Sequence, residues 1–198
     1  MIRFVYGIVV GAAALLPAGL CAQQKKAQPP EIDLALTFSA QHGNQTSNES
    51  FWAKGGSAEL TATFYHGLGI AANVTGTHAA NINSSGVGLT LVTTTFGPTY
   101  TWTVPHHRGS PGQCRFVGES LIGMANGVGS VFPDPSGAQS DANSLALQFG
   151  GGADLDLSNH FAVRLFHADW LRTQLPNATT NVQNNLQLDT GIVVRFPQ

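Results

Sequence analysis

The residues able to do chemistry in this chain are few and scattered: seven histidines, two cysteines and eleven acidic residues over 198 positions. His106 and His107 are adjacent in a Pro/Gly-rich segment. Two neighbouring imidazoles fall short of the three or four ligands a zinc ion takes, so the pair reads as a solvated turn. Gly150-Gly151-Gly152 is followed by no helix whose N-terminus could hold a phosphate. Within a strand such glycines mark close approach or strong curvature. Cys114 reads as a free thiol near a turn. No catalytic residue, cofactor site or metal site is expected. What remains is charge pairing. Asp33, Glu59, Glu119, Asp154, Arg164, Asp189 and Arg195 each stand on the polar parity of an alternating segment.

Those segments are what must position the charges. The clearest is the last. Leu186, Leu188, Thr190, Ile192, Val194 and Phe196 share one parity, and Gln187, Asp189, Gly191, Val193 and Arg195 the other. Successive strand residues point to opposite faces, so this is a strand with one apolar and one polar side. Seven more segments precede it, near 31–41, 54–65, 68–77, 87–103, 115–126, 144–157 and 161–173. The fourth changes phase, from Val87, Leu89 and Leu91 to Phe96, Pro98, Tyr100 and Trp102, which predicts a bulge near Thr93–Thr95. In the seventh, Phe161, Val163 and Leu165 oppose Ala162, Arg164 and Phe166; its upper half, with His167 and Asp169, alternates poorly. Long polar loops are expected after strands 1, 3, 5 (127–143) and 7. Tight turns are expected after strands 2 (His66-Gly67) and 6, with an intermediate connection after strand 4. The segments reach beyond the roughly 5–6 residues of an average strand and match the roughly 9–11 of a tilted membrane strand.

The N-terminus explains how such a chain would reach a membrane. Arg3, an apolar run from Phe4 to Leu16 and Leu20-Cys21-Ala22 read as a cleaved secretory signal over 1–22. Residues 23–30 (QQKKAQPP) read as a periplasmic linker, and 31–196 as the folded domain. Loss of the leader leaves eight basic against eleven acidic residues, a net charge of −3, with Cys114 the only cysteine. No intrachain disulfide is then possible. No basic stripe points to a nucleic acid.

Eight long strands with one apolar face close either as a soluble barrel, apolar side in, or as a membrane barrel, apolar side out. The polar faces are rich in Gly, Ala, Thr, Ser and Asn, suited to the narrow interior of an eight-stranded barrel. The only lysines are Lys25, Lys26 and Lys54, too few for a water-facing wall. The apolar faces are therefore expected to meet lipid, with Phe51, Trp52, Phe64, Tyr65, Tyr100, Trp102, Phe161, Trp170 and Phe196 as interfacial girdles. If Ser158-Asn159-His160 joins opposed strands, Leu157 faces Phe161 and Asp154 faces Arg164 inside the bore. Arg195 meets Glu31 or Asp33 at the seam of the first and last strands.

With its leader, its eight alternating segments, Gly97-Pro98-Thr99-Tyr100-Thr101-Trp102, Gly150-Gly151-Gly152 and the ending Thr190-Gly191-Ile192-Val193-Val194-Arg195-Phe196, the chain resembles the small eight-stranded outer-membrane β-barrel family typified by the OmpA membrane domain and OmpX. The resemblance spans 31–196. It implies an all-β, up-and-down transmembrane barrel in a Gram-negative outer membrane, monomeric, surrounded by outer-membrane lipid. Ile192, Val194 and Phe196 would be the signal read by the β-barrel assembly machinery. Pro197-Gln198 after the terminal aromatic and the lack of a following peptidoglycan-binding domain depart from the pattern. The implied role is structural or surface interaction through polar loops, not catalysis. A porin-like narrow pore gated by the lumen charges is the alternative. A lipid A deacylase-like enzyme is a further one, but His167 and Asp169 lack the His-x-Ser pattern of those barrels.

Overall fold

The computed structural model describes residues 30–44, 50–82, 86–104, 112–177 and 180–196. The signal peptide, residues 23–29 of the linker, His106-His107 and Pro197-Gln198 lie outside them. Eight strands, β1 (Glu31–Asn44), β2 (Ser50–Tyr65), β3 (Leu68–Ile82), β4 (Val87–Thr103), β5 (Cys114–Phe132), β6 (Gln139–Asp156), β7 (Phe161–Thr173) and β8 (Gln183–Phe196), form the molecule. Each pairs antiparallel with its sequence neighbours, and β1 closes on β8. The β2–β3 turn has positive φ at both His66 (47°) and Gly67 (88°). That mirror-image turn geometry matches the right-handed twist of its strands.

Burial is inverted relative to a soluble protein. Ile70, Phe96, Ile122, Leu165, Ile192 and Phe196 are among the exposed large hydrophobics, while Ser39, Glu59, Thr75, Thr95, Gln148 and Asp154 are buried. An apolar belt on every strand far exceeds the few hundred Å² a soluble monomer tolerates. Trp52 at the loop end and Tyr100 and Trp102 at the turn end are exposed on this wall. Trp102 and Phe116 have ring centroids 5.9 Å apart. Ile122 lies midway along β5, paired to Phe96 and Leu147. The substitution Ile122→Arg should therefore cost about 2–4 kcal/mol of folding free energy in a bilayer, the depth-dependent figure for a mid-membrane arginine. Urea titration in lipid vesicles checks it, and a change below about 0.5 kcal/mol would contradict the sidedness.

Five expectations are corrected. No bulge interrupts β4 at Thr93–Thr95. The register runs unbroken from Thr90 to Tyr100 against β3, and Leu91, Thr93, Thr95 and Thr99 all point inward. Leu91 is apolar because the loop end of the bore is apolar. The irregularity lies on β7 instead. Leu165 and Phe166 together span the single position between Arg164↔Gly191 and His167↔Asp189, and both are exposed. Phe166 thus faces outward, and His167 and Asp169 turn into the bore. The polar segment 127–143 is mostly strand: β5 and β6 extend the wall, leaving only 133–138 as the connection. It is shorter than the connection after β4, 104–113, so the loop lengths do not alternate as expected. Phe51 leaves the girdle set, because it packs inside against the cluster of Ala53, Ala79 and Ile82.

Candidate functional site

The bore is filled in layers. At the turn-end rim, Arg115 on β5 pairs with Glu31 on β1 and with Asp156, its Nε 3.1 Å from Asp156 Oδ2. Arg195 contacts Asp33 at 3.5 Å and Asp156. One layer up, Arg164 Nε donates to Asp154 Oδ1 at 3.0 Å and its Nη1 donates to Glu59 Oε1 at 3.0 Å. Asn73 donates to the other oxygen of Glu59 at 3.3 Å. Strands β2 and β6 lie opposite each other in an eight-stranded ring, as do β1 and β5. The guanidinium groups of Arg115 and Arg164 therefore each link opposite walls of the barrel.

Above Arg164 the bulge in β7 brings His167 Nε2 to 3.5 Å from Glu119 Oε1 and 3.2 Å from Asp169 Oδ1. Gln148 donates to Glu119 Oε1 at 3.1 Å and accepts from Thr95 at 3.0 Å. Gln187 donates to Asp189 Oδ2 at 2.9 Å. Gly150, directly opposite Asp169, leaves the space that carboxylate occupies. The seven charges singled out from the sequence all lie on the inner face, in separate groups. Asp33 and Arg195 are at the rim, Glu59, Asp154 and Arg164 in the middle, Glu119 with His167 above them, and Asp189 beside Gln187. Sequence reasoning sets Asp156 on the polar parity of β6 without singling it out, and misses Arg115, His167 and Asp169 as lumen groups. The pair Leu165-Phe166, two consecutive apolar residues flanked by Arg164 and His167, is the signal that would have found the last two. Ile192, Val194 and Phe196 share the outward parity of β8, with Ile192 and Phe196 exposed.

The loop end is of a different kind. Leu91, Ala125, Phe132, Ala146, Leu171 and Leu175 form an apolar layer over the polar plug. Beside it a cavity of about 670 Å³ opens at the rim, with Phe51, Ile82, Leu89, Val131 and Pro176 among its walls. Asp134 stands at its edge, its carboxylate accepting from the Ser136 backbone N–H at 2.9 Å and from the Ser136 hydroxyl. Those bonds hold the Asp134 carboxyl below its ordinary value.

Closure, inverted burial and a bore lined by buried polar and charged side chains define a small eight-stranded barrel of the outer-membrane type. Solved structures share that fold. Neisserial surface protein A superposes with a TM-score of 0.56 at 14% identity, over 83% of this chain and 97% of that one. Ail, the attachment invasion locus protein of Yersinia pestis, in complex with the heparin analogue sucrose octasulfate, does so with 0.55 at 13% identity, over 85% of this chain and 99% of that one. At such identity the likeness is one of fold. No protein-family model and no curated protein matches the chain.

Proposed function

We propose that this chain is an exported, monomeric outer-membrane protein that takes up a small apolar molecule at its loop-end rim and does not conduct ions. It would be delivered through a signal peptide cleaved near Ala22 and inserted by the assembly machinery through Ile192, Val194 and Phe196. The observation that carries the reading is the contrast along the bore. Arg164 is locked across the barrel between Glu59 and Asp154, so water and ions meet a plug. The rim above it offers an apolar cavity of about 670 Å³, within the roughly 300–1,000 Å³ range of small-molecule sites. The neighbours' fold supports the location in the outer membrane.

Nanodisc-embedded barrel should bind the fluorophore N-phenyl-1-naphthylamine saturably, with a blue-shifted emission. Leu89→Asp, which puts a carboxylate on the cavity wall, should weaken that binding at least tenfold. The same sample should migrate anomalously on gels until boiled, as a detergent-stable barrel does. Binding untouched by the substitution would remove the rim as the site.

A further inference from the structure

We propose that Glu119, His167 and Asp169 form a binding site for a first-row divalent cation, with Zn²⁺ the best match, inside the barrel. The three side chains come from β5 and from both positions flanking Ala168 on β7, and all are buried. Each offers one donor atom, and the three donors lie within 4.8 Å of one another.

Three observations point to a cation. First, the spacing suits metal coordination better than hydrogen bonding. His167 Nε2 lies 3.2 Å and 3.5 Å from its two carboxylate oxygens, yet has no aligned hydrogen-bond partner. A tetrahedral ion with bonds of about 2.0–2.1 Å sets its donors about 3.3 Å apart. One imidazole nitrogen at 3.2 Å and 3.5 Å from two carboxylate oxygens fits two edges of such a polyhedron. Second, Glu119 Oε2 is buried without a partner and Asp169 Oδ1 without an aligned hydrogen-bond donor, and buried carboxylate oxygens left short of partners are costly. Third, acidic groups outnumber basic ones along this part of the bore. Glu59, Glu119, Asp154, Asp169 and Asp189 are all buried, and Arg164, in the layer below the site, is already bound to Glu59 and Asp154. A divalent ion on Glu119 and Asp169 neutralises the pair that Arg164 does not reach.

The surroundings support the assignment. The Gln148 amide donates to Glu119 Oε1 at 3.1 Å and holds that carboxylate in place, as outer partners of metal ligands do. One imidazole and two carboxylates leave a fourth position for water. Imidazole favours zinc, copper, iron and nickel over calcium and magnesium.

A protonated His167 between two carboxylates is the competing arrangement, and Co²⁺ separates the two. Barrel folded in detergent with Co²⁺ present, then freed of excess metal, should hold one ion per chain. It should show visible d–d bands of four- or five-coordinate intensity, displaced by Zn²⁺. His167→Gln and Glu119→Gln preserve volume and should each abolish the bands. The double variant His106→Gln, His107→Gln should keep them. Anomalous gel migration before boiling verifies that each variant is folded. Should His167→Gln fail to fold, the wild-type comparison still decides: Zn²⁺ should raise the temperature at which the barrel loses its compact migration, and a chelator during folding should lower it. Absence of the bands in folded wild type, or their survival in folded His167→Gln, would overturn the assignment.

Discussion

Arg164→Met should destabilise the barrel by about 3–5 kcal/mol, the usual cost of removing one partner from a buried ion pair. The guanidinium is almost fully buried and bonds to both Asp154 and Glu59. Methionine fills much of the space but leaves two carboxylates facing each other in a narrow bore. Those carboxylates belong to opposite walls, β6 and β2, so the repulsion acts across the barrel. Equilibrium urea unfolding in detergent micelles, followed by tryptophan fluorescence, measures the loss. The variant Arg164→Met, Glu59→Gln, Asp154→Asn should recover most of it, because no uncompensated charge remains. If the single substitution costs less than about 1 kcal/mol, lumen water solvates the pair and the bore is wetter than the geometry implies. The same protein tests conduction. A steady, ion-selective current through wild type that Arg164→Met alters would establish a gated pore in place of a plug.

The architecture was legible because the membrane imposes it. Lipid demands an apolar residue at every second position, and that demand prints the parity of β1, β3, β6 and β8 directly on the sequence. Pairing of Asp154 with Arg164 follows from the short 157–160 turn, which fixes the register as hairpins do. What alternation cannot give is the environment at each height. Val87, Leu89 and Leu91 suggested a phase slip only because an apolar residue was equated with an outward one. Near the loop end the interior is itself apolar, and the parity never changes. On β7 the opposite error arises. Phe166 shares the parity of Arg164, yet a bulge turns it outward and brings His167 and Asp169 inside. The 127–143 segment reads as a loop because, beyond the lipid, both faces of a strand can be polar and the pattern fades. Glu119 was placed inside from its strand alone. Its partner His167 could not be, since that placement depends on a one-residue irregularity two strands away.

Gly150→Ala should destabilise the barrel by about 3 kcal/mol, whereas Gly118→Ala, on the adjacent strand, should be neutral or slightly stabilising. A Cβ at Gly150 would lie 1.8 Å from Asp169 Oδ1 and 2.4 Å from the Ala168 carbonyl oxygen. The first contact can be relieved by moving a side chain; the second is backbone, and relief requires β6 and β7 to part. Overpacking of this kind costs about 1–3 kcal/mol or somewhat more. At Gly118 the nearest atom to a Cβ is the Gly150 carbonyl oxygen at 4.0 Å, so alanine fits and reduces unfolded-chain entropy, for a gain of about 0.4–1 kcal/mol. Combining Gly150→Ala with Asp169→Ala separates the two contributions. Relief in the double variant measures the share due to the carboxylate, and the remainder belongs to the backbone. Equal stability of Gly150→Ala and Gly118→Ala would mean that β6 and β7 yield freely at the bulge.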